Sequence, residues 1–121
     1  MTVIAEPRTS VCDTGWVAAC ALSALIPGRG AAVLLPDGQQ AALFLLPDGG
    51  LAAVGNIDPF GRAAVMSRGL TGDRGGEPTV ASPLGKQVFS LVDGRCLDDE
   101  AVALPVFDVR VAGECVEIRA T

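Results

Sequence analysis

Two short stretches hold the residue types that could do chemistry: Asn56-Ile57-Asp58-Pro59-Phe60, and Ser82-Pro83-Leu84-Gly85-Lys86-Gln87-Val88-Phe89. Each sets a polar side chain beside a proline. Asp58-Pro59 is a good type I turn start, because Asp accepts a backbone N–H and Pro presets φ. Ser82-Pro83 stops a strand and turns the chain. Neither stretch has the partners that catalysis needs. The chain contains no histidine. That removes imidazole acid/base work, His metal ligands and any Ser-His or Cys-His nucleophile pair. Ser82 therefore has no base in view, and Asp58 alone cannot hold a metal ion. Cys12, Cys20, Cys96 and Cys115 match no disulfide framework or zinc ribbon, and no C-x-x-C is present. They read as free thiols behaving as small hydrophobes. The glycines at 69, 72, 75 and 76 lack the G-x-x-x-x-G-K-[ST] signature and a strand-to-helix setting, so they read as loop.

The elements that must position these stretches belong to one domain's worth of chain, 121 residues, long enough to bury a core without a disulfide or metal staple. Half the residues are hydrophobic, yet the aromatics are only Trp16, Phe44, Phe60, Phe89 and Phe107. Ala, Val and Leu must fill the interior. Fifteen Gly and eight Pro imply many turns, which suits short strands better than long helices. The net charge of −5 and the scattered basic residues disfavour nucleic acid or an anionic membrane as partner. No apolar run approaches a membrane span. Residues 1–14 lack the apolar region of a secretory signal, so a cytoplasmic location is the expectation.

Residues 1–13 read as a flexible N-terminal tail, and 14–121 as a single domain. Gly15–Cys20 is a candidate first strand, and Leu22–Ile26 one helical turn stopped by Pro27-Gly28. Ala31–Leu35 and Ala41–Leu46 read as strands ending in Pro36-Asp37-Gly38 and Pro47-Asp48-Gly49. The echo, occurring only twice, predicts two similar hairpin turns rather than a repeat array. Leu51–Gly55 continues the meander. From Asn56 to Gly76 the chain reads as ordered loop with a short helix over Arg62–Met66, and such loops on a rigid scaffold often carry function. Strand signals resume at Thr79–Ala81, Gln87–Val92, Val106–Val111 and Cys115–Arg119. Asp98-Asp99-Glu100 reads as a solvated acidic cluster. Turns every ten residues or so predict an all-β fold of antiparallel sheets, sandwich- or barrel-like, with a smaller loop-rich subdomain at about 56–92.

The two polar stretches are spaced like the two loops of a Rieske domain, C-x-H and C-P-x-H-G-x-x-F, where two Cys bind one iron and two His the other. On that pattern Asn56 and Asp58 stand at the first Cys and His, and Ser82 and Gly85 at the second pair. Pro83 and Phe89 keep their places. The spacing remains and all four ligands are gone. More narrowly, Asn56-Ile57-Asp58-Pro59-Phe60, Ser67-Arg68-Gly69-Leu70, Val80 to Phe89, Leu91 to Gly94 and Cys96 to Glu100, in that order, resemble the small subunit of assimilatory NAD(P)H-dependent nitrite reductase, the NirD type. The likeness runs over about Gly15 to Arg119. Departures are Gly85, where Lys is common in relatives, and the extension before Gly15.

That resemblance implies a Rieske-like fold without its cluster and no cofactor in this chain. It implies a nitrite reductase large subunit as partner, carrying FAD, siroheme and [4Fe-4S], and six-electron reduction of nitrite to ammonia in nitrate assimilation. It also makes interface candidates of Asn56, Asp58, Pro59, Phe60, Ser67, Arg68, Gly69, Ser82, Pro83, Lys86 and Gln87. Each has a plainer reading beside it. Asp58-Pro59 and Ser82-Pro83 are turns in their own right. Arg68 and Lys86 are solvated cations if unused. Phe60 is a core residue or an exposed anchor, with core favoured because an exposed Phe is uncommon without a partner. The competing functional readings are a Rieske-type [2Fe-2S] electron carrier, which the missing histidines oppose, and a free-standing β binding module.

Overall fold

The computed structural model describes residues 2–4, 6–7 and 16–120. Its strands are β1 (Thr2–Ile4), β2 (Glu6–Pro7), β3 (Val17–Ala21), β4 (Gly30–Leu34), β5 (Gln40–Leu45), β6 (Leu51–Gly55), β7 (Leu70–Arg74), β8 (Glu77–Ala81), β9 (Val88–Ser90), β10 (Val106–Ala112) and β11 (Cys115–Ala120). Two 3-10 turns, Leu22–Ala24 and Met66–Arg68, are the helical elements among the described residues. The larger sheet runs β1-β4-β5-β6-β10-β11-β3-β2, and the smaller β7-β8-β9. Strands β1 and β2 form opposite edges of the large sheet, yet one residue separates them in the chain. The sheet must therefore curl until its edges nearly meet, as a barrel. Every pair is antiparallel except β1 with β4.

The apolar runs of β5 and β6 explain where the core sits. Ala41, Leu43 and Ala53 face one cluster with Val33, Phe107, Val116 and Ile118. Ala42, Phe44, Ala52 and Val54 face a second with Met66, Val80, Phe89, Leu91 and Cys96. A strand buried on both faces reads as a continuous apolar run rather than an alternation. The ring of Phe44 reaches across Gly30, where a Cβ would lie 2.6 Å from Phe44 Cε1. The two Pro-Asp-Gly turns are alike, as their echo predicts. Gly38 N–H donates to Leu35 O at 3.0 Å and Gly49 N–H to Leu46 O at 2.9 Å. Both glycines have φ near +92°, a conformation that glycine adopts without steric cost.

The structure corrects the sequence reading in three places. Residues 70–74, expected as loop, are β7, which pairs along its length with β8. Four of its five residues are exposed, so no apolar alternation marks it. The helix expected over Arg62–Met66 is absent. Arg62 is left-handed, φ 58°, which a right-handed helix cannot accept. The 3-10 turn at Met66–Arg68 replaces it, held by Met66 N–H to Asn56 O at 3.0 Å and Ser67 N–H to Asn56 Oδ1 at 2.8 Å. Within the stretch expected as a tail, residues 2–4 and 6–7 are strands. The rest of 1–13, Cys12 included, lies outside the described residues.

Candidate functional site

The two polar stretches form paired loops at one end of the small sheet, and they are built alike. In the first, Arg62 N–H donates to Asp58 O at 2.6 Å, and Asp58 N–H donates to Ala63 O at 2.9 Å. In the second, Lys86 N–H donates to Ser82 O at 3.0 Å, and Ser82 N–H to Gln87 O at 2.9 Å. The side chain that opens each loop also turns it. Asp58 Oδ1 accepts from Phe60 N–H at 2.8 Å and Gly61 N–H at 3.2 Å, while Ser82 Oγ accepts from Leu84 N–H at 3.2 Å. These are the local side-chain to backbone bonds that Asp and Ser favour in turns.

A short hydrogen bond from Ser82 Oγ–H to Asp58 Oδ2 ties the loops together. Burial alone would raise the Asp58 carboxyl. The bonds from Ser82, Phe60 and Gly61 outweigh that and hold its pKa below the ordinary value. Asn56 anchors the same loop from behind. Its Nδ2 donates to Gln40 Oε1 at 3.1 Å and its Oδ1 accepts from Ser67 N–H.

This geometry sorts the candidate residues. Asn56, Asp58 and Ser82, expected at an interface, are buried, and their side chains hold the loops from inside rather than line their surface. Ser67 and Gly69 are partly buried. A Cβ at Gly69 would lie 2.7 Å from Val80 Cγ2, so glycine there serves close approach to β8. Arg68 is exposed. Gln87 Oε1 is buried and has no hydrogen-bond partner. Phe60 is 40% exposed and leans on Phe89, ring centroids 6.2 Å apart at 47°. It is thus a tip residue rather than a core one.

The loops bring Gly61, next to Phe60 and Arg62 in the chain, against Leu84 of the second tip. A Cβ at Gly61 would lie 2.7 Å from Leu84 Cδ1, so the two tips touch. Leu84 and Ile57 are exposed apolar residues and Arg62 is exposed; for a site, the sequence reading included Ile57 and Leu84 only as members of their loops, and Arg62 not at all. A lone apolar residue between Pro and Gly was the available signal for Leu84. Nothing in the sequence marks Arg62, because its left-handed backbone appears only in the fold.

A [2Fe-2S] cluster does not fit these residues. Asn, Ser and Gly supply neither thiolate nor imidazole. Asp58 and Ser82 spend their oxygens on each other and on loop N–H groups. Among the described residues no three His, Cys, Asp or Glu side chains gather as a metal site.

Comparison with known proteins places this arrangement. Residues 15–119 match the model of the Rieske-like [2Fe-2S] domain. The chain is 41% identical over 105 residues to the nitrite reductase (NADH) small subunit of Salmonella typhimurium, covering 86% of this chain and 96% of that protein. A solved structure from Mycobacterium tuberculosis, assigned as an NADH-dependent nitrite reductase small subunit, superposes with a TM-score of 0.85 at 55% identity, covering 88% of this chain and 95% of that one. A Klebsiella oxytoca nitrite reductase [NAD(P)H] large subunit contains a similar segment, 43% identical over 96 residues, which covers 79% of this chain and 10% of that protein.

Proposed function

We propose, from the premise that this chain belongs to the Rieske-like [2Fe-2S] domain family and, within it, to the nitrite reductase (NADH) small subunits, that it docks the reductase large subunit through its paired loop tips and carries no electrons itself. The observation that carries this reading is the Asp58–Ser82 bond, which joins the loops where the family pattern puts iron. Side chains that satisfy each other keep the tips in shape without a cluster. Phe60 and Leu84 are exposed on loop tips that touch, and apolar surface gathered at one place on a small domain marks an interaction site. Buried aromatic anchors ringed by polar residues are the usual anatomy of such contacts. The similar segment within a large subunit supports a partner whose own chain can contain this domain. In this reading flavin, siroheme and [4Fe-4S] reside in the large subunit, which reduces nitrite to ammonia in the cytoplasm.

Co-expression with the large subunit tests the proposal. A stable complex is expected, with nitrite-dependent NAD(P)H oxidation by the complex and none by this chain alone. Failure to co-purify, or stoichiometric iron in the isolated chain, would overturn it.

A further inference from the structure

The two loop turns share their plan with a third turn that is not at the tips. Ser90 Oγ accepts from Val92 N–H at 3.1 Å, and Gly94 N–H donates to Ser90 O at 2.9 Å. In all three the fifth residue has a positive φ: 58° at Arg62, 63° at Lys86 and 80° at Gly94. The third turn fills that position with glycine, as this backbone favours. So does every other described residue with positive φ; Arg62 and Lys86 are the exceptions. Neither is the Asn or Asp that tolerates the left-handed region best. Both are cations, one in each of the two tied loops. Residue type here runs against backbone preference, and a strained conformation that persists at a loop tip points to a use outside the fold.

Their surroundings indicate the use. Ion pairs among the described residues engage Arg95, Arg110 and Arg119; Arg62 and Lys86, like Arg29, Arg68 and Arg74, take part in none, and only these two combine that with left-handed backbone. Asp98 comes near through Val88 N–H, yet forms no ion pair with Lys86. The chain as a whole is acidic at −5, so it offers no general attraction to a negative surface. The tips set exposed apolar Phe60 and Leu84 beside two exposed cations that form no ion pair, while the carboxylate between them, Asp58, is buried and held by the loops. Such a rim steers encounter and sets register with a surface of opposite sign.

We infer that Arg62 and Lys86 are the charge-recognition pair of the docking face, and that the large-subunit surface they meet is an apolar socket edged with carboxylates. This rests on the docking role proposed above and names the chemistry of its partner face. The double variant Arg62→Gly with Lys86→Gly tests it, because glycine relieves the backbone while removing the charge. Thermal melting should show a stability equal to or above that of the unmodified chain. Binding to the purified large subunit should weaken by about tenfold or more, through a slower association rate that no longer falls with added salt. The charge-keeping pair Arg62→Lys with Lys86→Arg should bind within about twofold of the unmodified chain. Glycine variants that bind as well as the unmodified chain, with the same salt dependence, would overturn the pair while leaving docking intact. Variants that melt lower would also overturn it, by showing that the cations serve the fold. Absence of binding by the unmodified chain removes the docking role and this inference with it.

Discussion

The large sheet and the small one both pack on an apolar cluster, and they differ in the polar groups buried with it. Around the large sheet the interior is Ala, Val, Leu, Ile and Phe, and buried Glu117 meets Arg110 Nε at 2.7 Å. Around the small sheet the buried set includes Asn56, Asp58, Thr79, Ser82 and Ser90, each beside the loops or the turn of Ser90. An apolar interior is non-directional and tolerates small shifts. A polar interior holds only while every member keeps its partners. The region that the family pattern assigns to metal thus buries polar side chains that bond one another and the loop backbone. The tips depend on a few directional bonds, and the barrel depends on area.

The largest expected effect sharpens where the two regions join. Phe44 is fully buried on a strand that faces both clusters. Phe44→Ala should cost about 3–5 kcal/mol, read by urea denaturation. Amide exchange should rise in both sheets together. Protection lost only at the tips would break the picture of a shared strand.

Next comes Ser82→Ala, which deletes the donor to Asp58 and leaves a buried carboxylate short of a partner. The expected cost is about 2 kcal/mol, in the range for hydrogen bonds to charged groups. Exchange should accelerate at 56–62 and 82–87 while β10 and β11 stay protected. An equal loss of protection across the barrel would say that the two regions do not differ as described.

The smallest effect concerns acid. Asp58 has a folded pKa below its unfolded value. Its contribution is therefore full above the ordinary carboxylate pKa of about 3.9. It fades as pH falls from there through the depressed folded value, because the unfolded chain binds the proton first. Asp58→Asn should flatten this acid limb in part. Asp37, Glu77 and Asp93 retain the rest, since hydrogen bonds from Gln39, Ser90 and Arg95 hold them low as well. Urea midpoints between pH 5 and the acid transition that are parallel for both proteins would remove Asp58 from the account.

Legibility in the sequence followed the same divide. The meander of β4 to β6 was readable because apolar runs alternate with Pro-Asp-Gly turns, and both signals are local. The loop positions of Asn56, Asp58, Ser82 and Gly85 were readable through the resemblance to the Rieske pattern, which Pro83 and Phe89 anchor. Strand β7 was not, because an exposed hairpin arm needs no apolar pattern and its Gly72, Asp73 and Arg74 look like loop. The short helix failed at Arg62, where a residue with ordinary helix preference sits in left-handed backbone. Phe60 was assigned to the core on its type, yet its ring rests on Phe89 with its other side in solvent.

By itself the sequence determined the chemistry this chain lacks, since donor atoms belong to residue types and no folding can turn Asn, Ser or Gly into thiolate or imidazole. Only the tertiary structure decided which loop residues face inward and which outward. Orientation depends on neighbours brought from elsewhere in the chain. Ser82 closes over Asp58 across 24 residues, and that contact buries both while leaving Phe60, Arg62, Leu84 and Lys86 outside.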